Sequence, residues 1–259
     1  MAKGKVSPEL IEQFKQIVGE KYVYTDKDKL EPYSHDEVTD PHYMKEPQVV
    51  VLPATTEEVS KVVKLCYEND TVMVPRAAGT GLAAGAVATF GGVIISIERM
   101  NKILEIDKDN MVCVSEAGVT TSVLQDAVQK EGLFYGGDPC SGDSCFIGGN
   151  VATNAGGNRA VKYGVTRDQV MGMEVVTPTG EVVTLGGKFR KNATGYMLMH
   201  LFIGSRYPRY YHQSLPQIGC SPEISAGPPG CIRQPRRRYR FDTESHERWY
   251  HSGLRRIHG

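Results

Sequence analysis

The chain of 259 residues has no net charge to offer, 30 Lys and Arg standing against 30 Asp and Glu. Bulk electrostatics therefore favours neither a nucleic-acid partner nor an anionic membrane. No apolar run approaches the ~20 residues that a membrane-spanning helix needs. The start, Met1-Ala-Lys-Gly-Lys-Val-Ser7, also lacks the hydrophobic centre of a secretion signal. A cytoplasmic protein without a transmembrane segment is the expectation, with peripheral attachment to the inner face of the membrane left open. Cys66, Cys113, Cys140, Cys145, Cys220 and Cys231 show no Cys-x-x-Cys spacing, so free thiols are expected and a metal site is not. Tryptophan is nearly missing, Trp249 being the single example, and lysine is missing altogether beyond Ser205. Up to that point the cations are 15 Lys and 5 Arg; after it they are 10 Arg.

Glycine, in contrast, is abundant and clustered. Residues 145–159 read Cys-Phe-Ile-Gly-Gly-Asn-Val-Ala-Thr-Asn-Ala-Gly-Gly-Asn-Arg, with little side-chain bulk and many positions able to take positive φ. Such a stretch makes poor helix and poor strand. Its asset is backbone: amides free to point at oxygens, and a surface low enough for a large flat ligand. The plainer alternative is two tight turns joined by a small apolar bridge. A second stretch, Arg76-Ala-Ala-Gly-Thr-Gly-Leu-Ala-Ala-Gly85, follows an apolar strand, where open α/β sheets tend to bind ligands. It has no Gly-Lys-Ser/Thr, which excludes a nucleoside-triphosphate loop. Gly79-x-Gly81-x-x-Ala84 loosely matches a nicotinamide-dinucleotide fingerprint, with Glu98 as the ribose-binding acid, but residues 85–92 leave too little chain for the helix that fingerprint opens.

Around these stretches the periodicity is clear. Ser7 caps a helix to Val18, with Pro8 at its first position. Residues 22–43 have no period and read as a surface arm. A strand at 48–53, a Thr-capped helix at 55–67 and a strand at 72–75 form a unit that favours a parallel pair. Strands follow at 92–97, 103–106 and 111–117, then a helix at 120–131 and a hairpin at 170–185 turning at Pro178-Thr-Gly180. Cys140 and Cys145 read as small buried apolar residues, and His35, His42 and His200 as surface or structural ones.

Five motifs now stand in order: residues 76–81, Ile147-Gly-Gly-Asn-Val-Ala-Thr-Asn-Ala-Gly-Gly157, Tyr163-Gly164, Asn192-Ala-Thr-Gly-Tyr196 and Leu201-Phe-Ile-Gly-Ser205. Together they resemble the amino-terminal FAD-binding domain of the family that holds the FAD-linked glycolate oxidases and D-lactate dehydrogenases. The resemblance runs from about Tyr33 to Ser205. It implies an α+β fold, a two-subdomain FAD-binding domain of the vanillyl-alcohol-oxidase (PCMH) type. It also implies that Arg76, Ala77, Ala78, Gly79, Thr80, Gly81 and Leu82 wrap the FAD pyrophosphate through main-chain amides. Pro139, Ser144, Gly148, Gly149, Asn150, Ala152, Thr153, Asn154 and Ala155 would run beside the cofactor, with Gly156, Gly157 and Gly164 shaping the same wall. No histidine or cysteine in these loops matches a covalent anchor, so FAD is expected to be non-covalent. Family members pass a hydride from a D-2-hydroxy acid, glycolate or D-lactate, to flavin and the electrons to a further acceptor. Their substrate, proton-transfer and metal residues lie in a carboxyl-terminal cap that this sequence does not show, so no catalytic residue is assigned. A nicotinamide enzyme using residues 79–84 and a non-catalytic subunit of a flavoenzyme complex remain the alternatives.

The expected organisation is a helix and arm at 1–47, an FAD-binding domain at 48–205 and an irregular tail at 206–259. Where the family continues Glu-Gly-Thr-Leu-Gly-Ile-Ile-Thr, this chain reads Arg206-Tyr-Pro-Arg-Tyr-Tyr-His-Gln213. Those residues can be encoded by CGG TAC CCT CGG TAT TAT CAC CAA. Dropping the first base gives GGT ACC CTC GGT ATT ATC ACC, which translates as Gly-Thr-Leu-Gly-Ile-Ile-Thr. The tail thus reads as a frame-shifted translation of a truncated protein with an open sheet edge and weak FAD retention. The rival reading makes residues 233–240 a basic arm for nucleic acid or membrane.

Overall fold

Val23–Tyr24 (β1), Val49–Val51 (β2), Met73–Arg76 (β3) and Val93–Ser96 (β4) form one sheet in the order β1-β2-β4-β3. The computed structural model describes residues 6–189, 191–205 and, as backbone alone, 218–225. Both β2 and β3 run parallel to β4 and not beside each other, which corrects the expected direct pairing. The reason is burial. Every residue of β4 is buried, whereas in β3 only Arg76 is, so β4 takes the interior place with both faces covered and β3 the edge.

Alternate residues of this sheet feed two cores, as a period of two requires. Val49, Val51, Val93 and Ile95 face helices Pro8–Val18 (α1) and Thr56–Glu68 (α3), while Val50, Leu52 and Ile94 pack with Leu30 from Lys27–Leu30 (α2). The side-chain caps expected at Ser7 and Thr55 are present, accepting from Leu10 N at 3.2 Å and Glu58 N at 3.2 Å. Residues 22–43 are largely exposed, as a surface arm would be, but are not without structure. They supply β1, which pairs antiparallel with β2, and the buried Val23 and Leu30. Short elements of one turn carry too few residues for a period to show.

The second sheet is Ile103–Asp107 (β5), Val112–Ser115 (β6), Val170–Val176 (β7), Val182–Gly186 (β8) and Ile218–Ser225 (β9), ordered β5-β6-β9-β7-β8 and antiparallel throughout. Thr121–Lys130 (α4) contributes Leu124 and Val128 to a core with Cys113 from β6. Ile147–Thr153 (α5) contributes Val151, and Met199–Phe202 (α8) Met199, to a core with Val170, Met173 and Val175. Ala160–Tyr163 (α6) and Thr166–Gln169 (α7) connect α5 to β7. Helix α3 ties the sheets together: Thr56 Oγ1 donates to Glu174 Oε1 at 2.7 Å and Ser60 Oγ to Gly180 O at 2.5 Å.

Strand β9 corrects the reading of residues 206–259 as wholly irregular, and with it the expected open edge. It lies between β6 and β7 although it contains Pro222, opposite Met173. Both neighbours present a row of backbone donors and acceptors to that slot, and backbone pairing is indifferent to side-chain period. The rest of the tail, including the basic run at 233–240, lies outside the described residues.

Candidate functional site

Where β3 ends, the chain enters a loop of small residues. Among the described residues the amides of Ala77, Ala78, Gly79, Thr80, Gly81 and Leu82 donate no hydrogen bond. A Cβ added at Gly81 would meet nothing within 4 Å. Six successive unused donors on a low surface fit an anionic diphosphate, which needs converging N–H groups. The side chain of Arg76 is engaged within the protein. It is buried, and its guanidinium donates to His35 O at 2.8 Å, Ala86 O at 3.1 Å and Pro32 O at 3.1 Å. Burial lowers its pKa, and Asp36, Tyr33 and Glu98 oppose that shift.

The second glycine-rich stretch is helical, against expectation: α5 spans Ile147–Thr153. Two glycines in a helix cost about 1 kcal/mol each, and packing offsets this. Ile147 and Val151 are buried, and a Cβ at Gly148 would stand 2.8 Å from Ala117 Cβ. Gly148 N donates to Ala117 O at 2.7 Å and Ile147 N to Val119 O at 2.9 Å, fixing the helix start on the turn after β6. Asn150 Nδ2 donates to Thr121 Oγ1 at 2.7 Å inside the fold. The helix ends at Asn154, whose φ is 50°. The two stretches touch: a Cβ at Gly149 would lie 3.0 Å from Ala77 Cβ.

A family model described as an FAD binding domain matches residues 47–186. The chain belongs to this FAD-binding family. It is 49% identical over 204 residues to a D-lactate dehydrogenase of Anaerostipes hadrus, covering 78% of this chain and 42% of that protein. It is 43% identical over 173 residues to the glycolate oxidase subunit GlcD of Bacillus subtilis (strain 168), covering 67% and 36%. The chain thus spans less than half the length of these relatives. Among solved structures, alkyldihydroxyacetonephosphate synthase superposes with a TM-score of 0.73 at 24% identity, over 87% of this chain and 45% of that one. p-Cresol methylhydroxylase gives 0.70 at 23%, over 85% and 43%. The fold is therefore the α+β, vanillyl-alcohol-oxidase type of FAD-binding domain, and FAD is its cofactor.

In this FAD-binding domain the residues expected at the cofactor fall into three groups. Residues 77–82 and α5 meet at Ala77 and Gly149. Pro139 and Gly157 meet as well, since a Cβ at Gly157 would sit 3.0 Å from Pro139 N and collide with Asp138 O. Several others are occupied elsewhere. The Asn150 side chain is committed to Thr121, and the Asn154 Oδ1 accepts from Arg167 N at 2.8 Å. Thr153 Oγ1 donates to Gly149 O at 2.9 Å, and exposed Ser144 donates to Ser141 O at 3.2 Å. Gly164, with φ of 83°, backs onto Asp168, whose carboxylate accepts from Val165 N at 2.8 Å. Ala152, Ala155 and Gly156 are half-buried along the same segment.

Some assignments change. No helix follows residues 79–84, and Glu98 accepts from Tyr33 Oη at 2.7 Å, so the nicotinamide alternative loses both its helix and its acid. Cys140 is exposed, in contrast to buried Cys145, because it lies on the outside of the 139–145 turn. The Leu201-Phe-Ile-Gly-Ser205 motif is explained by Gly204, φ 78°, whose N donates to Val151 O at 2.9 Å and whose missing Cβ lets it approach Asn154. Sequence reasoning missed Tyr33 and Asp36, which surround Arg76. Their signal was faint: an aromatic and an acid in a stretch without period.

Proposed function

We propose that this chain is the FAD-holding part of a flavin-dependent oxidoreductase that oxidises a D-2-hydroxy acid, glycolate or D-lactate. The observation that carries it is the contact of Ala77 with Gly149, which sets six unused amides beside a glycine-rich helix. Residues 77–82 would hold the pyrophosphate, and residues 148–157 with Pro139 would lie along the ribityl chain and ring. Bound flavin would supply the hydride acceptor. The chain's own residues bind and orient: small side chains keep the wall flat, and the loop offers donors without a counter-charged side chain in the way. Relatives named D-lactate dehydrogenase and glycolate oxidase subunit support the substrate class and a sister-subunit partner. The absence of a histidine or cysteine motif for attachment supports non-covalent binding.

A spectrum of the purified protein tests both levels. Flavin bands released by denaturation establish non-covalent FAD, and bleaching on addition of D-lactate or glycolate establishes reduction of the flavin by that substrate. An apoprotein that carries no flavin after incubation with excess FAD and removal of the unbound cofactor defeats the proposal. The shifted-frame origin of residues from Arg206 onward is tested by sequencing the locus; an unbroken frame with no cap encoded downstream removes it.

A further inference from the structure

The 77–82 loop needs something to hold its shape, because its own amides do not. One backbone bond reaches it from outside, Glu37 N to Gly81 O at 3.0 Å. Ala77 packs against the core and Gly149 at the loop's start, and Arg76 adds a polar restraint. From one guanidinium, donors reach three carbonyls on two segments: Pro32 and His35 on one side and Ala86, past the loop's far end, on the other. The plane sits 5.5 Å from the Tyr33 ring, and Tyr33 is itself tied to Glu98 at the end of β4. Among the described residues no carboxylate lies within ion-pair distance of it. Buried Asp36, with one carboxylate oxygen unpartnered, is among the groups whose charge favours the guanidinium.

Gly79 completes the arrangement. A Cβ there would come within 2.7 Å of Arg76 Cζ and collide with Nη2, and its φ is +74°. We infer that Arg76 is a positioning residue, a clamp that joins residues 32–37 to the FAD loop and pre-shapes it before the cofactor arrives. On this view Gly79 serves twice, allowing the φ of +74° and leaving room for the guanidinium. The inference rests on the FAD reading of the loop. A planar fork is required for three carbonyls; a lysine ammonium, a point charge on a flexible stem, keeps the charge and loses the geometry. Pre-shaping matters because a loop ordered in advance does not spend binding energy on its own ordering.

Hydrogen exchange on the FAD-free full chain tests this directly. In Arg76→Lys, the hydrogen-bonded amides of Ser34, Glu37 and Val87, which flank the loop, should exchange about tenfold faster together, the β7–β8 hairpin keeping its protection, and FAD affinity should fall by about tenfold to a hundredfold. Gly79→Ala should reproduce the pattern, and in an Arg76→Ala background it should add less than it does alone, keeping only the cost of an alanine at φ +74°. Unchanged exchange in FAD-free Arg76→Lys, with weaker FAD binding, would mean that the arginine touches the ligand and overturns the clamp. Strictly additive effects of Gly79→Ala and Arg76→Ala overturn it too. The exchange pattern in a chain that binds no FAD upholds the clamp and removes the cofactor reading.

Discussion

Gly149 and Ala77 face each other so closely that a methyl group on Gly149 would lie 3.0 Å from the Ala77 methyl. Substitution here separates two effects. Gly149→Ala removes a helix glycine, worth up to about 1 kcal/mol in α5, and pushes residue 77 outward. Thermal stability should therefore change little while FAD affinity drops. Gly149→Val adds bulk without the helix benefit and should weaken FAD binding further. Fluorescence titration with FAD beside a thermal melt reads both; equal FAD affinity in all three proteins would show that the contact does not shape the site.

The bond from Asn150 to Thr121 is buried, and Thr121 Oγ1 in turn lies 3.3 Å from Cys145 O as donor. Asn150→Ala should destabilise the fold by about 1–3 kcal/mol, the range for stranding a buried hydrogen-bonding group. Thr121→Val should cost a similar amount, and the double variant less than the two together. Urea denaturation of the four proteins measures the coupling.

Burial pushes the Cys66 thiol up to about 12 and the Cys113 thiol up to about 11. An unfolded thiol ionises near pH 8.5. Between that value and the folded ones the unfolded chain has lost a proton that the native chain retains, so stability falls as pH rises. It is unaffected by these groups below about pH 8.5. The urea midpoint should decline from pH 8.5 upward, and Cys66→Ala should flatten part of that decline. At pH 8, mass-spectrometric mapping after brief alkylation should find exposed Cys140 modified well before Cys66 or Cys113.

Deleting residues 218–225 should expose the facing edges of β6 and β7. Two unpaired edges in mid-sheet invite pairing between molecules, so the shortened protein should elute as larger species in size-exclusion chromatography. A monomeric, fully soluble product would show that β9 contributes little to closing the sheet.

Much of the architecture could be read before any coordinates, and the reason is specific. The Val and Ile runs of β2, β4 and β7, and the capped α1 and α3, follow from local period and capping alone. The place of β4 between β2 and β3 does not, because it depends on which strand can be covered on both faces. Helix α5 hid behind its glycines, whose helical state comes from docking on Ala117, a contact with a residue distant in the chain. The site was legible as two glycine-rich stretches. What could not be read was the use of the side chains: those of Arg76, Asn150 and Asn154, on residues expected at the cofactor, are bonded to their own protein.

The order β5-β6-β9-β7-β8 places the last of the described strands in the middle. During synthesis β7 and β8 emerge with β6 already waiting, and the gap between them stays open until residue 225 clears the ribosome. The nascent chain carries two adhesive borders for that whole interval, so slower translation through residues 218–225 should lower the yield of folded protein.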